Sequence, residues 1–161
     1  MANLINSYTR NDPFATYKFH VEIDGIEGAA FSDCSGLDMS VEVMEQPEGG
    51  LNEYTHKFLG RTKWSNVTLK RGITVSDELF KWYMDTLKDF NAGKGIKLKN
   101  VTITLYSISS SVSQEMVKTK MYHLSNAFPV KWTGPSFKTD EAAYAVETLE
   151  LAHHGITITK T

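Results

Sequence analysis

Five histidines and one cysteine are the side chains of this sequence with most scope for catalysis or metal binding. A helical metal site needs two ligands about one turn apart, and no pair of these histidines has that spacing. His153 and His154 are adjacent, so on a strand their side chains point to opposite faces. Cys34 is the single thiol, which excludes an internal disulfide and zinc sites built from several thiolates. We therefore expect no metal centre, and we interpret Cys34 as a small packed residue.

Other catalytic and ligand-binding motifs are also missing. No serine lies in a Gly-x-Ser-x-Gly elbow. Gly93-Lys94-Gly95 lacks the Lys-Ser/Thr of a phosphate loop and follows a predicted helix, so it is interpreted as a helix stop. A basic stripe of Lys70, Arg71, Lys97 and Lys99 lacks interleaved aromatic residues and is interpreted as a solvated face. The sequence predicts neither an enzyme nor a cofactor.

Length and composition indicate one globular domain. The chain has 161 residues, 41% hydrophobic and 22% charged, with a formal net charge of −2. No apolar run is long enough to span a bilayer, so we expect no stable membrane anchoring. The first eleven residues lack the apolar core of a signal peptide, so we expect synthesis in a bacterial or host cytoplasm.

Charge is divided unevenly along the chain. Phe19 to His56 contains nine acidic residues and no Lys or Arg, whereas Lys57 to Lys120 contains twelve Lys or Arg and five acidic residues. Two interpretations stay open: two solvated surfaces, or a subunit with unlike faces that associates head to tail.

Alternating apolar and polar residues predict seven or eight strands. Asp24-Gly25, residues 46–50 and Gly134-Pro135 supply turn signals between them. The second and third strands form a predicted hairpin with a long glycine-rich tip. The predicted strands are Tyr17–Asp24, Leu37–Val43, Tyr54–Gly60, Val67–Arg71, Val101–Leu105, Met116–Leu124, Ala127–Trp132 and Tyr144–Ala152, followed by a β-like tail, Ile156–Thr161.

One segment changes to a helical period. Thr74 or Ser76 is expected to cap the helix, and Gly93 and Gly95 to end it. An apolar stripe recurs at three- and four-residue spacing and is expected to face the core. The stripe consists of Leu79, Phe80, Tyr83, Met84, Leu87 and Phe90.

These elements predict a mainly β fold, an antiparallel β-barrel or sandwich with one flanking α-helix. Strands do not alternate with helices, which argues against a doubly wound parallel sheet. The predicted organisation is an N-terminal arm (1–13), a β-barrel domain (14–155) and a C-terminal tail (156–161).

Six ordered blocks resemble the tail-tube proteins of contractile phages and related injection systems, including Hcp-like proteins. Together they cover Asp12 to Gly155. The blocks are Asp12–Phe14 with Phe19–Gly25, Phe31–Leu37, Glu48–Gly50 with Lys57–Gly60, Leu69–Gly72 with Asp77–Leu79 and Trp82, Asn126–Trp132, and Glu147–His153. The arm Met1–Asn11 and the extension Ile156–Thr161 depart from the family pattern.

The resemblance implies a structural subunit of six-membered rings that stack into a hollow inner tube. The tube would lie within a contractile sheath and be driven through a target envelope when the sheath contracts. Implied partners are further copies of the chain, the sheath protein, baseplate or initiator paralogues, and a luminal cargo of effector protein or DNA. The motifs do not separate the main tube subunit from an initiator paralogue.

Within such a tube, the sequence suggests four groups of contact residues. The expected inter-ring stacking loop is Pro47, Glu48, Gly49, Gly50, Leu51, Asn52, Glu53 and Tyr54. Its expected basic counter-face is Lys57, Arg61, Lys63, Lys70 and Arg71. Expected lumen-facing residues are Asp38, Ser40, Glu42, Thr102 and Thr104. The expected sheath-facing helix residues are Lys81, Asp85, Lys88 and Asp89.

Two other classes of protein stay as alternatives. A small ligand-binding β-barrel would be a monomer with an enclosed apolar cavity. An enzyme would have a cleft in which titratable groups converge. The state of assembly separates the tube subunit from both.

Overall fold

The structure is a computed structural model that describes residues 18–26, 30–50, 53–108, 116–137 and 145–160. Within these ranges it is mainly β with one helix, and the predicted fold class is confirmed. The elements are β1 (Lys18–Ile23), β2 (Asp33–Ser35), β3 (Met39–Gln46), β4 (His56–Trp64), β5 (Val67–Gly72), α1 (Glu78–Asn91), β6 (Lys99–Ile108), β7 (Met116–Thr133), β8 (Val146–Ala152) and β9 (Gly155–Lys160).

Seven strands form the main sheet, and all of their pairings are antiparallel. The 18-residue strand β7 belongs to both halves of this sheet. Its first part lies between β6 and β9, which gives the order β1-β6-β7-β9. Its last part pairs with β8 and continues through β5 to β2. Asn126, with φ of 52°, lies where β7 passes from one half to the other.

The core is formed by the alternating apolar residues of these strands together with α1. Val67 and Leu69 of β5 are fully buried, as are Leu149 and Leu151 of β8 in register with them. Val101 and Ile103 supply the same pattern in β6. On each strand the two buried residues are two positions apart in the sequence, because successive side chains of a strand point to opposite faces.

The buried face of helix α1, which packs against β7, shares only Leu79 with the apolar stripe that the sequence predicts. Leu79, Trp82 and Thr86 are its buried residues, whereas Phe90 is 66% exposed and Leu87 is also exposed. The expectation that the whole apolar stripe is core is therefore wrong. The positions 79, 82 and 86 share one helix face, and Thr86 is tolerated there because its hydroxyl donates to the Trp82 carbonyl at 2.8 Å.

The ends of α1 agree with the sequence only in part. Asp77 precedes the first helical residue and makes no side-chain capping hydrogen bond, so the predicted caps Thr74 and Ser76 are wrong. Gly93 follows the helix with φ of 67°, a left-handed conformation that glycine adopts without a Cβ penalty. Among the described residues, no helix has the length and apolar character needed to cross a bilayer.

The predicted hairpin is confirmed as a separate two-stranded sheet of β3 and β4. All eight residues of β3 are exposed. The segment expected to be a β-like tail is β9, which pairs with β7 along its whole length. The predicted arm (1–13), Leu51 and Asn52 lie outside the described residues.

Candidate assembly surfaces

The β3–β4 hairpin carries exposed apolar side chains that no part of the described subunit covers. Register places Val43 directly opposite Leu59, and Met44 directly opposite Phe58. Leu59 is 82% exposed, and the other three are more than half exposed. Val43 and Met44 are adjacent, so the two pairs lie on opposite faces of the hairpin. A two-stranded hairpin is marginal in water by itself, so these exposed apolar side chains favour burial against another molecule.

Two of the three Lys and Arg residues of the hairpin form ion pairs within the subunit. Lys63 forms an ion pair with Glu42, and Lys57 lies 3.5 Å from Glu45 on the neighbouring strand. Both pairs are largely exposed, so each contributes about 0–1 kcal/mol. Arg61 lies on the same strand and is exposed. Three of the five residues that were expected to bind the hairpin tip of the adjacent ring therefore lie on the hairpin itself: Lys57, Arg61 and Lys63.

The predicted stacking loop forms the tip of this hairpin. Pro47, Glu48, Gly49 and Gly50 are exposed, as is Glu53. Tyr54, 60% exposed, makes an edge contact with the His56 ring at a centroid distance of 5.4 Å. His56 Nε2 lies 3.0 Å from a carboxylate oxygen of Glu48, which joins the two sides of the tip.

The other two predicted counter-face residues lie on β5 and differ from each other. Lys70 is exposed and pairs with Asp33 at 2.7 Å. Arg71 is only 3% exposed, so in this structure it faces the interior instead of a neighbouring subunit. Its guanidinium donates to Glu147 and, at 2.8 Å, to the Ser76 carbonyl.

The Arg71–Glu147 pair is part of a network that the sequence reasoning missed. The indole N–H of Trp132 donates to the second carboxylate oxygen of Glu147 at 3.0 Å. The half-buried carboxylate of Glu147 thereby joins β5, β7 and β8, and the Arg71 guanidinium joins them to the chain entering α1. The sequence signal was present, since Arg71, Trp132 and Glu147 all lie in the blocks that carry the family resemblance.

The five predicted lumen-facing residues fall into two separate groups. Asp38, Ser40 and Glu42 are exposed at the start of the hairpin. Thr102 and Thr104 lie on β6, within the half of the main sheet formed by β1, β6, β7 and β9, which we call the four-stranded sheet. They lie on its face opposite the core. Thr104 is 6% exposed and lies between His20 and Met121 in register, so it presents little surface.

A polar row crosses this face of the sheet. Thr102 Oγ1 lies 3.1 Å from Nδ1 of His123, and Nε2 of His123 lies 2.8 Å from Oγ1 of Thr159. Glu22 of β1 is directly opposite Thr102 in register. The sequence reasoning named Thr102 but missed His123 and Thr159, because only the register of β6, β7 and β9 brings them together.

The four-stranded sheet β1-β6-β7-β9 has two outer edges. Within the described ranges β1 pairs along its length with β6 alone, and β9 pairs with β7 alone. The N–H of Asp24 donates to the Asn100 carbonyl, so Asp24 directs its backbone groups at β6. In an antiparallel pair every second residue does so, and the N–H and C=O groups of Phe19 and Val21 therefore point away from β6. A groove of about 520 Å³ follows this edge. An unpaired row of this kind is a template for another strand.

The predicted sheath-facing residues lie on the outer side of α1. Lys81, Asp85 and Lys88 are exposed and Asp89 is half-buried. Lys88 lies 3.8 Å from Asp85, one helical turn away. The same helix also exposes Leu87 and Phe90, which lie on other parts of its circumference than Lys81.

The described residues offer little for catalysis. In the ranges that the structure describes, no three His, Cys, Asp or Glu side chains converge as metal ligands would. Burial raises the pKa of the Cys34 thiol to about 11, with a smaller contribution from the charge of Asp33. Such a thiol is scarcely ionised at neutral pH, so it is a poor nucleophile.

These surfaces define a class of protein: an antiparallel β subunit whose exposed hairpin and open sheet edges suit it to association. The chain belongs to the family of the T4-like virus tail tube protein gp19, whose family model matches residues 15–157. Members of this family are structural tail-tube proteins. No curated protein is similar enough to count as a relative.

Solved structures of contractile injection particles are similar to the chain. One is the tube-terminating cap of the anti-feeding prophage, with 26% identity, a TM-score of 0.77 and full coverage of both chains. Another comes from the sheath–tube complex of the extracellular contractile injection system PVC in its extended state. It has 27% identity, a TM-score of 0.75, and coverage of 94% of this chain and 95% of that one. Hcp1 from Flavobacterium johnsoniae shares the fold at 15% identity, with a TM-score of 0.51 and coverage of 89% of this chain and 95% of that one.

Proposed function

We propose that this chain is a subunit of the inner tube of a contractile tail or injection particle. Copies associate as six-membered rings, and the rings stack into a hollow conduit. The observation that carries the proposal is the pair of edge strands, β1 and β9, at opposite sides of one four-stranded sheet, each of which pairs along its length with a single neighbouring strand in the described ranges. Membership of the tail-tube family supports the role of a tube subunit. The similarity to tube and cap structures of injection particles supports its place in such a particle.

In the proposed ring, β9 of one copy pairs with β1 of the next. Both strands have six residues, so their lengths match. The four strands alternate in direction, and β9 therefore runs antiparallel to a β1 placed beside it in the same orientation. A head-to-tail contact of this kind repeats around a ring and removes both edges.

The polar face of the four-stranded sheet lines the lumen in this proposal. Six copies of a four-stranded sheet exceed the 16–18 strands of barrels that already enclose an aqueous channel. The opposite face carries the core, so the face with Thr102, His123 and Thr159 is left to meet water and cargo. Effector protein or DNA is the cargo class, since these polar side chains offer sliding contacts and no fixed apolar pocket.

The hairpin supplies the contacts between rings. Its exposed apolar residues, Leu59 above all, become buried against the adjacent ring. Burying an exposed leucine contributes about 1.5–3 kcal/mol, well above the contribution of the exposed ion pairs on the same hairpin. The outer side of α1 is left for the sheath protein, and baseplate components meet the terminal rings.

Electron microscopy of the purified protein tests the proposal. We expect rings or hollow tubes when the chain is imaged alone or with its neighbouring sheath and baseplate proteins. Long tubes support a main tube subunit, whereas isolated rings in every mixture support a terminal, cap-like position. A monodisperse monomer in all of these mixtures would overturn the proposal.

An edge variant sharpens this experiment. Phe19→Pro removes a backbone N–H that is directed away from β6, and proline is tolerated on edge strands when the lost donor is not paired internally. Phe19→Leu keeps that N–H and serves as the control, and thermal unfolding of the unassembled variants checks that both still fold, because the Phe19 side chain packs against the core. Rings should form with Phe19→Leu and not with Phe19→Pro, and ring formation by both would refute β1 as the joining edge.

A further inference from the structure

The direction of the hairpin is set at its root, where residues 36–38 and 64–66 join it to the body of the subunit. Every residue of β3 is exposed, and in the described ranges β3 and β4 pair only with each other. Packing along the hairpin therefore does little to fix its angle. The contacts at the root have to do so.

Backbone contacts close this root. The N–H of Ser65 donates to the carbonyl of Asp38 at 3.1 Å. Gly36 has φ of 86°, and a Cβ at this position would collide with the carbonyl oxygen of Asn66. The Asn66 side chain donates to Glu150 on β8 at 2.8 Å, which attaches the root to the main sheet.

His153 contacts the same root from the corner between β8 and β9. It is 8% exposed. Its Nε2 lies 3.0 Å from the carbonyl oxygen of Ser65, and its ring centroid lies 5.9 Å from that of Trp64 at the end of β4. A carbonyl can only accept, so Nε2 carries the hydrogen. Nδ1 is buried and has no hydrogen-bond partner among the described residues.

We propose that His153 is a positioning residue that sets the angle at which the hairpin leaves the body. It acts through its hydrogen bond to Ser65 and its ring contact with Trp64. Gly155, the first residue of β9, lies beside the Trp64 ring, so the same corner links the hairpin to an open sheet edge. The importance of this angle rests on the proposed function, because stacked rings need every hairpin to point the same way.

Spin-label distances measure the hairpin angle directly. Labels at Glu45→Cys on the hairpin and Lys81→Cys on α1, in a Cys34→Ala background, are read by pulsed electron resonance on unassembled subunits. We expect His153→Leu to raise the population of displaced hairpin orientations about fivefold, the effect of losing one hydrogen bond. His153→Gln keeps an N–H donor near the position of Nε2 and should restore the narrow distribution.

The outcomes separate this inference from the proposed function. Equal distributions in the wild type and His153→Leu overturn the positioning role, and broadening by both variants overturns the hydrogen bond as its cause. If His153→Leu fails to fold, Trp64→Ala decides, because Trp64 lies outside the buried core cluster and its removal should broaden the distribution. These distances do not depend on assembly, so the absence of rings in the wild type refutes the proposed function alone.

Discussion

Replacing Leu59 by aspartate should separate assembly from folding. Leu59 is 82% exposed in the subunit, so its loss removes almost no packing, and we expect the free energy of unfolding to change by less than about 0.5 kcal/mol. If stacking buries this side chain, each subunit loses about 2 kcal/mol of contact. That loss raises the critical concentration for tube formation about thirtyfold.

Sedimentation of tubes over a concentration series, with thermal unfolding of the unassembled subunit, measures both quantities. Val75→Asp is the matched control, because Val75 is a fully exposed apolar residue that lies outside the hairpin. Its critical concentration should stay near that of the wild type. An unchanged critical concentration for Leu59→Asp would refute the burial of the hairpin between rings. A large drop in its unfolding temperature would refute the exposed position of Leu59.

Three further predictions concern the subunit itself. Glu147→Ala leaves Arg71 buried without its carboxylate and should cost about 3 kcal/mol in urea unfolding; a cost below about 1 kcal/mol would contradict the role of this pair. Gly36→Ala should destabilise the subunit by about 2 kcal/mol or more, because Gly36 has a positive φ and a Cβ there would collide with Asn66. Gly72→Ala is the control and should not destabilise the subunit, because the space around Gly72 is open. Equal unfolding midpoints for the two variants would contradict this. Because burial raises its pKa to about 11, the Cys34 thiol should react with a maleimide far more slowly than free cysteine at pH 8. Its reaction should become faster as the pH rises. If Cys34 reacted at pH 8 as fast as free cysteine does, its burial would be contradicted.

Local pattern in the sequence was enough to predict most of the strands and the hairpin, but it missed β2 and divided β7 into two strands. The alternation of Val101 and Ile103 with polar neighbours gives their burial, and the glycine-rich breaker at residues 46–50 gives the hairpin tip. The resemblance to tail-tube proteins supplied the family, which the family model confirms. Both signals lie within short stretches of chain or in ordered blocks.

Features that depend on tertiary register could not be predicted. Arg71 has the appearance of a surface residue in the sequence, and it is buried because the register of β5 and β8 places Glu147 opposite it. The helix stripe was misplaced because several apolar residues, Phe90 among them, compete with Trp82 for the core face, and only the packing on β7 selects between them. The row of Thr102, His123 and Thr159 joins three strands, so no local pattern could reveal it.

The most direct test of the account is the symmetry of the assembled particle in electron microscope images. We expect end views with six-fold symmetry and a central channel, in which neighbouring subunits are joined through β1 and β9. A hollow assembly in which these two strands stay unpaired, or a chain that is monomeric in the presence of its sheath and baseplate partners, would contradict it.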